Sequence, residues 1–162
     1  MRRNLIVLFI AAVAIGAAVW AEEQPWFDLE KCGFCKQIGA QPGLVDHMKS
    51  NYFDLRNGML SVTHIDTEYL PAFKKALEGM RPVVQDLAAG KPVYTCRHCT
   101  ELGALYMAGV APEQVESGEN IYVVYQATDS TLIARIHKFR ADCTAGEEAF
   151  LKRRADKSGE SK

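Results

Sequence analysis

The chain carries almost no net charge: 19 basic and 20 acidic residues leave it at −1 over 162 residues. It has no basic stripe, and its one basic cluster, Lys152-Arg153-Arg154, stands near the C-terminus. Nucleic acid is therefore not an expected partner, because binding it needs a cationic surface to replace phosphate counterions. There is no Gly-x-Ser-x-Gly, no His-Glu-x-x-His and no Gly-rich phosphate loop. Those absences remove the common serine-hydrolase, zinc-protease and nucleotide-binding readings. Asp54, Asp66, Glu68 and Asp129 fall at expected turns or caps, where acids are commonly structural.

Charge is also missing from Leu5 to Val19, just after Arg2 and Arg3. This apolar core is shorter than the roughly 20 residues of a spanning helix. With Ala21 closing Val19-Trp20-Ala21, it predicts an export signal over 1–21, cleaved after Ala21. The alternative is an uncleaved N-terminal anchor, the one case in which the membrane is a partner. No cysteine follows the core closely enough to serve as a lipid attachment site. Cleavage leaves 17 basic and 20 acidic residues, a charge of −3. The remainder suffices for one domain with its own core, assigned to 22–154. Small polar residues from Ala155 to Lys162 predict a disordered tail.

What the sequence does have is cysteine. Export places all five in an oxidising compartment, where cysteines pair, hold metal or are kept reduced by a dedicated system. Four form Cys32-Gly-Phe-Cys35 and Cys96-Arg-His-Cys99, and Cys143 stands apart. The two motifs head the same short stretch written twice. CGFCKQIGA and CRHCTELGA share both cysteines, the Gly and the Ala, with Ile38 against Leu102 and Gln37 against Glu101.

The resemblance between halves continues. Tyr52–Arg56, Asn57-Gly58 and Met59–Ile65 read as a hairpin whose Asn-Gly turn needs positive φ. Gln114–Ser117, Gly118-Glu119-Asn120 and Ile121–Gln126 read as a second one. An offset of 61 aligns Leu60 with Ile121, Val62 with Val123 and His64 with Tyr125, while the cysteines align at 64. Thr67 and Thr128 are candidate helix caps. Leu70, Phe73, Ala76 and Met80 then match Ile133, Ile136, Phe139 and Cys143 at helical spacing. Pro71 falls in the first turn of the first helix, and Gly79 and Pro82 are expected to end or kink it. Each half thus reads CxxC-helix, hairpin, helix, with repeats at about 30–90 and 94–150. The expected fold is α+β, a four-stranded, mostly antiparallel sheet packed with helices and carrying a pseudo-two-fold relation.

Two residues between cysteines let both sulfurs face one ion, and zinc takes four such ligands tetrahedrally. Cys32, Cys35, Cys96 and Cys99 are therefore the candidate metal ligands, with zinc first and copper(I) as the softer alternative. Met48, Met59 and Met107 add soft donors, though methionine more often fills core gaps. His98, His47, His64 and His137 are secondary candidates as ligands or modulators, with His64 placed on an inward face set by Leu60 and Val62. No metal is needed if the pairs are disulfides that staple an interaction protein. A thiol–disulfide oxidoreductase is the enzymatic alternative, since a helix N-terminus lowers a thiol pKa. Cys32-Gly-Phe-Cys35-Lys36 resembles the CGPCK site of thioredoxins over five residues. The Trp before that motif, the apolar strand leading into it and the later thioredoxin order are all missing here. Cys143 falls on an apolar helix face and reads as a buried, inert thiol.

Overall fold

The computed structural model describes residues 24–159. The expected export segment 1–21 lies outside the described residues, as do 160–162 of the expected tail. The elements, in order, are α1 (Cys35–Gly39), β1 (Met48–Leu55), β2 (Gly58–Ile65), α2 (Leu70–Ala88), α3 (Arg97–Met107), β3 (Glu113–Ser117), β4 (Asn120–Gln126) and α4 (Ser130–Gly159). Short 3-10 turns at Leu44–His47 and Thr67–Tyr69 precede β1 and α2. The four strands form one antiparallel sheet in the order β1-β2-β4-β3, the α+β architecture expected. No helix among the described residues is long and apolar enough to cross a membrane.

The hairpins are equivalent at an offset of 62, not 61. Leu55 pairs with Gly58 as Ser117 pairs with Asn120, and Asn51 with Val62 as Glu113 with Val124. The correction matters because side chains alternate with period two, so a slip of one swaps the faces of a strand. The face turned to the helices carries Met59, Ile65, Ile121 and Tyr125, all buried, with Ser61 and Val123 opposite each other at its centre. Leu60, Val62 and His64 lie on the other face, with exposed Phe53 and Val115. His64 is not inward.

Both long helices pack on that one face. Leu70, Phe73 and Ala76 of α2 join Leu44, Ile65 and Ile121. Ile136, Phe139 and Cys143 of α4 join Trp26, Met59, Leu105 and Tyr125. These are the apolar stripes of the sequence, spaced for one helical face.

Several local expectations are corrected. The first hairpin turns at Arg56-Asn57, and neither Asn57 nor Gly58 has positive φ. Gly58 is needed for space instead: a Cβ there would lie 1.8 Å from the Tyr125 carbonyl oxygen. Helix α2 runs through Pro82, anchored by buried Ala76 and Val83 on either side of it. Asp129 caps α4, accepting the Leu132 N–H at 2.9 Å, so Thr128 does not. Thr67 gives its N–H and hydroxyl to the Glu119 carboxylate. Helix α4 continues to Gly159, through the start of the segment read as a disordered tail.

Candidate metal centre

The chain brings the two CxxC motifs together through backbone contacts made before each helix starts. The Gly33 N–H donates to the Tyr94 carbonyl at 2.9 Å. That approach needs the missing side chain, because a Cβ on Gly33 would meet Val93 Cγ1 at 2.7 Å and Val83 Cγ1 at 3.0 Å. On the other side the Arg97 and His98 N–H groups donate to the Pro25 and Trp26 carbonyls. Those are orphan donors at the start of α3, and the N-terminal segment satisfies them.

Within each motif the backbone turns alike. Lys36 N–H donates to Cys32 O and Thr100 N–H to Cys96 O, each at 3.0 Å. The Cys35 N–H bonds the Cys32 sulfur, and the Cys99 N–H bonds the Cys96 sulfur. Cys35 opens α1, while Cys96 is the residue before α3 and Cys99 sits in its first turn.

The result is one cluster. The sulfurs of Cys32, Cys35, Cys96 and Cys99 all lie within 4.8 Å of one another. Cys35 Sγ is 3.5 Å from Cys96 Sγ and 3.6 Å from Cys99 Sγ. A regular tetrahedron with a metal–sulfur distance of about 2.3 Å has sulfur–sulfur edges of about 3.8 Å. A disulfide needs about 2.05 Å, and all five cysteines are free thiols. Cys32 and Cys96 are 0% exposed, Cys35 is 7% exposed, and Cys99 is half-buried.

Four thiols this close cannot ionise independently. Hydrogen bonds from Cys35, Cys96 and Cys99 pull the Cys32 thiol far below its ordinary value. The bond to Cys32 pushes Cys35 and Cys99 far above theirs. Against the opposing bond with Cys32, those from Cys35 and Cys99 bring Cys96 down to about 7. Cys32 and Cys96 give up their protons more readily than an ordinary thiol, while Cys35 and Cys99 resist until a cation compensates them. A divalent ion does so for all four, which is the chemistry this donor set offers.

No protein-family model, curated protein or solved structure matches this chain.

The histidines do not join the sulfurs; among the described residues, the four cysteines are the one group arranged to hold a metal ion. His98 comes nearest, its Nδ1 4.0 Å from Cys99 Sγ. Its ring is enclosed by Trp26, Phe27 and Phe139, with centroids at 5.7, 4.9 and 5.4 Å. That burial pushes its pKa down to about 4 and keeps it neutral at neutral pH. His47 bonds Asp66 at 2.7 Å and stacks on Tyr69. His64 bonds Asn120 and approaches Asp66 and Glu119, and His137 meets the Leu55 carbonyl. Met59 is core and Met107 is 89% exposed. Cys143 is fully buried, and desolvation raises its thiol pKa.

Sequence reasoning missed the second layer. Trp26, Phe27 and Gly33 brace the centre, and only Gly33, inside the motif, carried a signal: it is the CxxC residue that a side chain would obstruct.

Proposed function

We propose that this is an exported protein whose Cys32, Cys35, Cys96 and Cys99 bind one zinc ion as a closed structural centre. The observation that carries the reading is the four-sulfur cluster itself, within 4.8 Å and with edges of 3.5 and 3.6 Å beside the 3.8 Å or so of a tetrahedral site. Four thiolates and no open position favour a structural role over a catalytic one. Zinc suits that geometry, and copper(I) shares the preference for thiolate. The ion would tie the N-terminal segment and α1 to α3, joining the two halves on the helix-bearing side of the sheet. Export rests on the signal-like residues 1–21, and the halves read as copies of one unit.

The test is native mass spectrometry with elemental analysis for zinc, copper and iron, on protein recovered from the exported fraction. One zinc ion per chain is expected, a chain starting at Glu22, and loss of the ion in Cys96→Ser. A metal-free wild-type chain after reconstitution under reducing conditions would rule the centre out. A chain retained whole inside the cell would rule out export.

A further inference from the structure

We propose that the same four-cysteine centre is an oxidant-responsive site, in which Cys99 is oxidised first, Cys35 resolves it, and the resulting disulfide joins the two motifs and expels the metal. The metal reading above supplies the thiolate form of Cys35 and Cys99 and the expulsion step; which sulfurs pair does not depend on it.

Access and distance choose the pair. Cys32 and Cys96 have no exposed surface and Cys35 has 7%, so a soluble oxidant meets Cys99, the half-buried member. Cys35 Sγ is 3.6 Å away, and bond formation brings the two sulfurs about 1.5 Å closer. Two local pairings compete with it. A Cys32–Cys35 bond would require an oxidant to reach one of two buried sulfurs. A Cys96–Cys99 bond could follow from the same oxidised Cys99, and the 3.6 Å Cys35–Cys99 separation is what favours Cys35 as its partner.

With a hydroperoxide as oxidant the chemistry balances. The Cys99 thiolate attacks one oxygen of hydrogen peroxide, the O–O bond breaks, and hydroxide leaves a sulfenic acid. The Cys35 thiolate attacks that sulfur, the S–O bond breaks, and a second hydroxide leaves. Two electrons pass from the two sulfurs to the peroxide, and protons from solvent convert the hydroxides to water. Two of the four thiolates are then gone, and Cys32 and Cys96 cannot hold the ion alone. A Cys35–Cys99 bridge still ties α1 to α3, so the fold outlasts the loss of metal. A pair of local disulfides would leave the halves unlinked.

The experiment treats metal-loaded protein, its metal content measured beforehand, with hydrogen peroxide. A chromogenic chelator follows release, and free thiols are alkylated before digestion. Trypsin leaves Cys32 and Cys35 together in 32–36, Cys96 in 76–97 and Cys99 in 98–135. A chymotryptic cut after Phe34 then separates Cys32 from Cys35. The expected product joins 35–36 to the Cys99-bearing fragment of 98–135, carries alkylated Cys32 and Cys96, and appears with one ion released per disulfide. A first disulfide confined to 32–36, or joining 76–97 to 98–135, would overturn the proposal. So would full metal retention once the thiols have reacted. Wild-type protein that never takes up metal would instead refute the metal centre, and the peptide map of its reduced form would still decide which sulfurs pair. In Cys99→Ser, Cys35 should lose its thiol at least tenfold more slowly; an unchanged rate counts against Cys99 as the entry point.

Discussion

Gly146 lies in the middle of α4, where alanine would ordinarily stabilise a helix by about 0.5–1 kcal/mol. Here the sign should reverse. A Cβ at 146 would lie 2.0 Å from Trp26 Cδ1, 2.2 Å from Cγ and 2.6 Å from Nε1. Trp26 has nowhere to go: it is 8% exposed and packed against Phe27, His98 and Phe139. Its carbonyl also accepts the His98 N–H at the start of α3, so moving it disturbs the Cys96–Cys99 half of the metal centre. Overpacking of this kind costs about 1–3 kcal/mol. Contacts this short place Gly146→Ala in the upper part of that range. After the helix gain is subtracted, a net loss of about 1–2 kcal/mol is expected, or roughly 3–6 °C in Tm for a chain of this size. Gly103 supplies the control. It lies inside α3 with no heavy atom within 4 Å of its would-be Cβ, so Gly103→Ala should raise Tm by roughly 2–3 °C. Thermal melts followed by circular dichroism, with metal saturated, would compare both variants with wild type. Gly146→Ala at or above the wild-type Tm would refute the packing argument.

Gly58→Ala should be worse than either, since its Cβ would meet the Tyr125 carbonyl at 1.8 Å between β2 and β4; little soluble folded protein is expected, and a native-like amide exchange pattern in those strands would contradict it. Asp129→Ala removes the side-chain cap of α4 and should cost about 1 kcal/mol, read as a shift in urea midpoint, with Asp129→Asn recovering most of it. The bond from His47 holds the Asp66 carboxyl below its ordinary value, and bonds from Thr67 do the same for Glu119. A depressed carboxylate pKa gives stability that is complete above the unfolded value near pH 4 and is lost as pH falls through the folded one. Asp66→Asn should therefore trail wild type at pH 6 and match it near pH 3; a gap that widens on acidification would reverse the sign.

The order of elements and the four clustered cysteines were legible because each rests on a local signal. CxxC spacing, Ile133-Ile136-Phe139-Cys143 at helical spacing, and two turn-separated strand runs all survive in the structure. The errors share one cause, which is that local signals fix an element's presence better than its phase. Asn57-Gly58 marked a turn, but placed it one residue late. The same misplaced turn aligns the hairpins at 61 instead of 62, and His64 reads as inward although it lies on the outer face of β2. Pro82 reads as a helix breaker, yet tertiary burial of Ala76 and Val83 carries α2 through it. His98 reads as a candidate ligand or modulator because nothing near it in sequence announces the enclosing rings. Trp26 and Phe27 lie about 70 residues upstream and Phe139 about 40 downstream.

The separation of the two motifs raises an energetic question that the fold answers. Bringing together ligands about 60 residues apart costs about 3.7 kcal/mol in loop closure, beyond the constant for forming any loop. If metal binding alone met that cost, the centre would assemble only with the ion, as in zinc fingers that are unfolded without metal. In this chain the β2–β4 pairing ties β2, which lies between the motifs, to β4, which follows the second motif. The contacts Gly33 to Tyr94, Arg97 to Pro25 and His98 to Trp26 then set the two turns side by side without reference to any ion. The sulfurs are thus held near tetrahedral spacing by backbone and aromatic packing. Metal binding at this cluster would then leave its energy for affinity instead of consuming it in ordering the chain. The same pre-organisation explains how the centre tolerates a half-buried ligand. Under the proposed oxidation Cys99 would react and the ion would leave while the scaffold stays folded, because that scaffold rests on the sheet and on Trp26, Phe27 and Phe139.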